Sequence, residues 1–307
     1  MTIYLATKTL NAIEHAIQAD QGAKFRYFLK LVMPHIGDAY RSETELFRSH
    51  MGASGIAKEC ARAIWYSFRW YTPSNFSGRM QRLFNRGHME EGRFIAMLLT
   101  IGCQVFQQDA SGKQFTISGS EGHFGGSGDG VILGLPDLPE GTYALSEFKT
   151  HSSTSFKKLL SEGMRGAKPE HYIQMQSYMR KMGLSYGFYL AVNKDNDELY
   201  GEIIVIDGET ADTFAKRADN IIWMRQPPAK IAESPGAFKC KFCEHRPVCH
   251  LKEEPHRNCR TCAYSRPAEA KQWVCEVSGT TIDKQSQLTG CGHWTKIKDF
   301  GYEAPSA

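Results

Sequence analysis

The 307-residue sequence contains no apolar run long enough to span a bilayer. Its opening, MTIYLATKTLNAIEHAIQAD, lacks the h-region of a signal peptide, so a cytoplasmic location is expected. There is no internal repeat, no low-complexity tract and no P-loop, so any strand unwinding would need a helicase or recombination partner. Charge of one sign is scarce as well: 37 Lys and Arg against 33 Asp and Glu leave a net +4. That balance permits contact with nucleic acid without requiring it. With 41% apolar and 23% charged residues, the composition is that of a globular protein and excludes a disordered one.

Cysteine is not scarce. Nine are present, at 60, 103, 240, 243, 249, 259, 262, 275 and 291, and seven of them lie beyond residue 239. In a reducing compartment such clustering favours metal over structural disulfides.

Hydrophobic spacing predicts helix over 9–33, over 55–70 and, strongly, over 79–102. Short strand-like runs follow in CQVFQQ, QFTIS, GVILGL and YALSEFKT. Helix returns over 155–183, with Pro169 starting its second segment. Two further strands, SYGFYLAVNK and LYGEIIVID, precede a last helix over 209–226. The order implies a mixed α/β core of about 150 residues, an ordinary domain size.

Polar residues within this core suggest chemistry. Glu91 lies in RGHMEE on the long helix, and Asp129 sits on the glycine-rich turn GGSGDG. Glu147 and Lys149 alternate on one face of a strand, and Gln174 and Tyr178 are one helical turn apart. Carboxylates of this kind suit magnesium or manganese, and glycines beside Asp129 would let a phosphodiester approach closely. Lys149 would stabilise charge developing on the phosphate. Alone, a Glu-x-Lys pair is more often a solvated surface pair. His88 and His123 read as surface or core residues, and Gln176 points away from the Gln174 face.

The ordered set RGHMEE, GSGDG, EFK and QMQSY resembles the PD-(D/E)XK nuclease superfamily, and within it the RecB-like exonucleases. The motifs cover residues 78–206. The resemblance implies a restriction-endonuclease-like α/β core, a mixed central sheet flanked by helices. It assigns Glu91, Asp129 and Glu147 to a Mg2+ or Mn2+ site, with Lys149, Gln174 and Tyr178 completing the catalytic set. Glu91 stands where many relatives carry histidine.

CKFCEHRPVC supplies Cys240, Cys243 and Cys249, one thiol short of four-coordination. The RecB-like resemblance implies a [4Fe–4S] cluster whose fourth ligand lies upstream, at Cys60 in ECARAIWYSFRW. The remaining Cys259, Cys262, Cys275 and Cys291 fit a small zinc module, with His293 or His256 able to replace a thiol. Cys103, in LLTIGCQVF, reads as core. Aromatic and basic residues interleave in WYSFRW, where Trp65 and Phe68 read as core, while Arg79, Arg82 and Arg86 are the better candidates for phosphate contact.

The expected organisation is an N-terminal helical region (1–77), a nuclease core (78–230), an iron–sulfur segment (231–251) and a zinc-binding tail (252–307). The expected function is a metal-dependent DNA exonuclease of recombination or repair. The alternatives are a nucleic-acid-binding protein with a degenerate nuclease site, or a structure-specific endonuclease.

Overall fold

A computed structural model describes residues 2–41 and 45–299. In chain order, helices α1 (Thr7–Ala19), α2 (Ala23–Val32) and α3 (Gly37–Tyr40) precede strand β1 (Met51–Gly52) and helix α4 (Ala61–Phe68). The long helix α5 (Gly78–Thr100) leads into strands β2 (Gln104–Phe106), β3 (Thr116–Gly119), β4 (Phe124–Ser127), β5 (Val131–Leu133) and β6 (Tyr143–His151). Helices α6 (Ser153–Ala167) and α7 (Pro169–Met182) follow, then β7 (Tyr186–Asn193), β8 (Leu199–Val205) and α8 (Gly208–Trp223). Short elements close the chain: α9 (Phe238–Lys241), α10 (Arg246–His250), β9 (Ser265–Pro267), β10 (Trp273–Cys275) and α11 (Lys284–Thr289).

The chain divides into two compact units that interleave in sequence. The first comprises residues 1–44, 76–117 and 127–211; the second comprises 45–75, 118–126 and 212–307. The four consecutive segments expected from sequence are thus distributed over two units. No helix among the described residues is long and apolar enough to cross a membrane.

A five-stranded sheet, ordered β2-β5-β6-β7-β8, forms the centre of the first unit. β6 and β7 run parallel, joined by α6 and α7, and the other pairs are antiparallel. The architecture is therefore mixed α/β, a mixed sheet flanked by helices. Ser77 opens α5, its hydroxyl accepting the Met80 N–H at 3.3 Å. Buried Phe94, Ile95 and Leu98 of α5 join Ala144 and Phe148 of β6 and Phe188, Leu190 and Val192 of β7 in one core. Phe94 stacks on Phe148 at 5.2 Å. Even-numbered residues of β6 enter this core, so its odd-numbered residues face the other side. Pro169 begins α7, and Gly183 ends it in the left-handed conformation (φ +68°) that a helix C-terminus often requires.

In the second unit, β1 pairs with β4 in parallel and β9 with β10 antiparallel. Residues beyond 251 are woven into this unit. The His256 N–H donates to the Tyr71 carbonyl at 2.9 Å, and the Asn258 side chain donates to the Trp70 carbonyl at 3.0 Å. Fully buried Trp273 lies 5.3 Å from Phe68. The cysteine-rich tail is part of this unit's core.

Candidate active site and cysteine sites

The short strand β5 creates the first site by ending early. It pairs with β6 only as far as Val131↔Leu145. Beyond that point the chain bends at Gly130, whose carbonyl still accepts the Ser146 N–H at 3.0 Å. The next free donor on that edge, the Phe148 N–H, is taken by the Asp129 side chain, with Oδ2 at 2.9 Å. Asp129 is therefore fixed beside the stretch of β6 that carries Glu147 and Lys149. Gly130 cannot be replaced without strain: its φ is +142°, and a Cβ there would lie 2.6 Å from the Phe106 carbonyl oxygen. The glycine expected to admit a phosphodiester is thus required first by the close approach of the chain's own strand β2.

Glu147 is 1% exposed and forms an ion pair with Lys149, whose side chain is 28% exposed. Gln174 of α7 donates its amide to both Glu147 oxygens, at 3.0 and 3.1 Å. Four residues on, the Tyr178 hydroxyl donates to the Ser127 carbonyl at 2.8 Å, at the head of the turn that carries Asp129. Helix α7 thus fixes both carboxylate-bearing segments. Gln176 does turn away: its amide donates to the Val205 carbonyl and its oxygen accepts the Asp207 N–H.

Glu91 completes the group from α5. Burial, then the negative charge of Asp129, raises its pKa to about 8, while Lys149 opposes the shift. The Glu147 carboxyl is also raised, by burial and by Asp129 against the pull of Lys149. Burial works against the Lys149 ammonium, but Glu147, Asp129 and Glu91 together outweigh it and raise its pKa. One ammonium thus answers three carboxylates, Glu147 in contact and Asp129 and Glu91 through their charge, and the set is short of positive charge. Glu90, next in sequence, belongs elsewhere and pairs with Arg93 at 3.3 Å. His88 Nδ1 lies 3.5 Å from Glu91 Oε1, nearer the site than a plain surface role implied. His123 is buried in the second unit, where its Nε2 contacts the Ala268 carbonyl. At 100° per residue, exposed Arg86 points about 140° away from Glu91 around α5, as do Arg79 and Arg82 to within about 40°. That stripe does not line the carboxylates.

A buried string beside the site was not anticipated. His151, two residues beyond Lys149 on the same face of β6, contacts the Tyr189 hydroxyl at 2.8 Å. His171, one turn before Gln174 on α7, contacts the same hydroxyl at 3.0 Å. The spacing Glu-x-Lys-x-His on the strand and His-x-x-Gln on the helix was the available signal.

In the second unit, Cys60, Cys240, Cys243 and Cys249 line one small cavity of about 30 Å³, together with Arg62 and His245. Burial raises the Cys243 and Cys249 thiol pKa values, and Cys60 adds to both shifts. Cys259, Cys262, Cys275, Cys291 and His293 line a separate depression. Burial, then the thiols of Cys291, Cys262 and Cys275, pushes Cys259 up to about 11. His256 does not line it; its ring packs edge-on to Phe47 at 5.1 Å. Cys103 is core, 3% exposed, its thiol directed at the Gly134 carbonyl. Trp65 and Phe68 are core as well. Among the described residues, no three His, Cys, Asp or Glu side chains form a ready-made metal cage. The cysteines gather around common cavities without closing into a coordination sphere.

Neither a protein-family model nor a curated protein matches this sequence. Among solved structures, the chain is similar to an alkaline exonuclease (LHK-Exo) from Laribacter hongkongensis, at TM-score 0.40 and 18% identity. That likeness covers 56% of this chain and 86% of that one. The LHK-Exo complex with dAMP gives TM-score 0.39 at 17% identity over the same shares. SSO0001 gives TM-score 0.35 at 15% identity, over 75% of this chain and 97% of that one. Scores below 0.5 are too low to support a functional inference by themselves.

Proposed function

We propose that the protein is a divalent-metal-dependent nuclease that hydrolyses phosphodiester bonds in DNA, acting from ends as an exonuclease. The observation that carries this reading is the convergence of Glu91, Asp129 and Glu147 around Lys149 within the first unit, in the order of the nuclease motifs. The donor set fits magnesium or manganese: hard carboxylate oxygens, with Glu91 pushed to about 8 by burial and then by Asp129, would be neutralised by a dication. When bound, the ion supplies Lewis-acid polarisation and a nucleophile at neutral pH. The protein's own groups do the rest. Glu91, Asp129 and Glu147 would hold the ion. Lys149 offers positive charge where negative charge develops on the phosphate. Gln174 fixes the Glu147 carboxylate, and Tyr178 fixes the turn that presents Asp129.

In the same proposal, Cys60, Cys240, Cys243 and Cys249 hold a [4Fe–4S] cluster, supported by their lining of one cavity despite the long chain separation. Cys259, Cys262, Cys275 and Cys291 hold zinc, supported by their common depression. The nuclease is tested with end-labelled linear and covalently closed circular DNA in Mn2+. Loss of label from linear DNA with the circle intact is expected; cleavage of the circle would make it an endonuclease. No cleavage of either would favour a binding protein.

A further inference from the structure

The second unit buries Arg62, Arg69 and Arg260, and of these Arg62 pairs with a partly exposed carboxylate, Asp299. Arg69 is 1% exposed and Arg260 3% exposed, and neither is paired with a carboxylate among the described residues. Each of the three Arg260 nitrogens is engaged. Its Nε donates to the Gln287 side chain at 2.9 Å, and its Nη atoms donate to the Phe68 and Ser49 carbonyls. Its guanidinium also sits 3.8 Å over Trp70 and 4.5 Å over Trp273. Arg69 is not fully occupied. Its Nη atoms reach the Arg260, Ser265 and Met224 carbonyls, but its Nε has no hydrogen-bond partner. A buried guanidinium without a carboxylate is costly, and the Trp65 and Trp273 rings, 5.1 and 5.3 Å from the centre of the Arg69 guanidinium, offset part of that cost.

Arg69 lines a cleft of about 660 Å³ in this unit, together with Trp223, Arg225, Arg266 and Gln272. Arg225 and Arg266 approach one and the same oxygen, Glu276 Oε1, at 2.5 and 3.5 Å. Two of the cleft's guanidiniums, Arg225 and Arg266, therefore share one carboxylate, and Arg69 has none. Glu121 and Glu269 also line the cleft; both are exposed, as are Arg225 and Arg266, so solvent weakens all four charges alike. Trp223 is 43% exposed, a large indole left in contact with solvent. The adjoining wall is strained. Ser120, Glu121, Ala270 and Lys271 all have φ between +50° and +63°, and the Lys271 N–H donates to the Glu121 carbonyl at 2.6 Å. Such strain persists where surrounding structure holds a site in shape.

We propose that this cleft binds a single strand of nucleic acid, with phosphate on Arg225 and Arg266, the buried Arg69 adding positive charge from beneath, and a base stacked on Trp223. Guanidinium forks match phosphate oxygens, and an exposed indole gives a sequence-tolerant platform for an unpaired base. The choice of nucleic acid as the anion rests on the nuclease reading above; the charge and shape of the cleft do not.

The test uses the full chain carrying Asp129→Asn, with no magnesium or manganese added, so that binding is read without cleavage and the cysteine sites stay loaded. The probe is a fluorescent oligothymidylate of about 12 nucleotides, within the site sizes of single-strand binders. Trp223→Ala should weaken binding by about tenfold or more, and Trp223→Phe by less than about threefold, because stacking is retained. Arg266→Ala should weaken binding and lower the salt slope by about one. Circular dichroism establishes that these exposed-site variants fold; Arg69 is left intact because its loss would empty a buried site. Unchanged affinity in Trp223→Ala and Arg266→Ala would overturn the proposal. So would equal displacement of the probe by a polyglutamate peptide, which would make the cleft an acidic-peptide site. Hydrolysis of DNA by the parent in Mn2+ is measured separately. Its absence would sink the nuclease reading and leave the binding result standing.

Discussion

Asp129→Asn should inactivate the protein and, in EDTA, stabilise it. In the folded protein Asp129 is the largest electrostatic contributor raising Glu91, and it raises Glu147 too. Two unit charges 4 Å apart repel by about 1 kcal/mol in water and about 4 kcal/mol at an effective dielectric of 20. Below pH 8 Glu91 answers this repulsion by holding a proton, so removing the Asp129 charge lowers the cost of keeping Glu91 protonated and relieves repulsion toward Glu147. The structural bond survives, because the asparagine carbonyl can accept the Phe148 N–H as Oδ2 does now. The loss of attraction to Lys149 subtracts from the gain, since Asp129 also supports that ammonium. A net stabilisation of about 1–2 kcal/mol follows, or several degrees in melting temperature for a unit of this size. Manganese should reverse the order. A ligand at 100 times its dissociation constant adds about 2.7 kcal/mol to whichever protein binds it. The parent should therefore gain strongly and the variant little. Differential scanning fluorimetry in EDTA and in saturating Mn2+, with a nuclease assay alongside, reads all three effects. Activity should fall at least about 100-fold, as for loss of a metal ligand. If Asp129→Asn melts lower than the parent in EDTA, or retains activity, the carboxylates do not form the cluster argued here.

Other outcomes follow from the same geometry. Lys149→Met should cost at least about 100-fold in DNA cleavage with the fold retained by circular dichroism; full activity would remove the lysine from the mechanism. Cys60→Ser in anaerobically prepared protein should lose visible absorption and iron, whereas Cys103→Ser should keep both. Cys291→Ser should lower zinc, measured by elemental analysis, without lowering iron; loss of iron would mean that the thiols are divided differently. Burial, then Lys168 and Lys149, holds His151 at about 4, and burial, then Lys149, holds His171 at about 3, both below the ordinary 6.5. Both are neutral when folded and take up protons when unfolded. Stability is therefore complete above pH 6.5 and lost as pH falls toward 4, by about 2 kcal/mol per histidine near pH 5. Urea unfolding across that range should show this slope, and His151→Gln should flatten it.

The sequence was most legible where one element carried both a strong period and a motif. α5, β6 and α7 came out within about two residues of their expected bounds, because amphipathic helix spacing, strand alternation and the Pro169 start are local signals. The run 9–33 read as continuous helix, yet it breaks at Asp20–Gly22, where the Asp20 carboxylate caps the Ala23 and Lys24 N–H groups. That cap was written in DQGAK as an acid just before a helix start. β4 was missed because FGGS has little strand propensity, and its pairing with β1 is supplied by a segment over 70 residues away. The site divides along the same line. Glu147 and Lys149 share a strand and Gln174 and Tyr178 share a helix, so each pair was readable from periodicity. The His151–Tyr189–His171 string draws one residue each from β6, β7 and α7, so no single element displays it. The arginine stripe of α5 is the opposite case. Its charge pattern was plain, but only the helical angle to Glu91 shows that it faces elsewhere. Residue types thus announced the chemistry, while the third dimension decided which of them could act together.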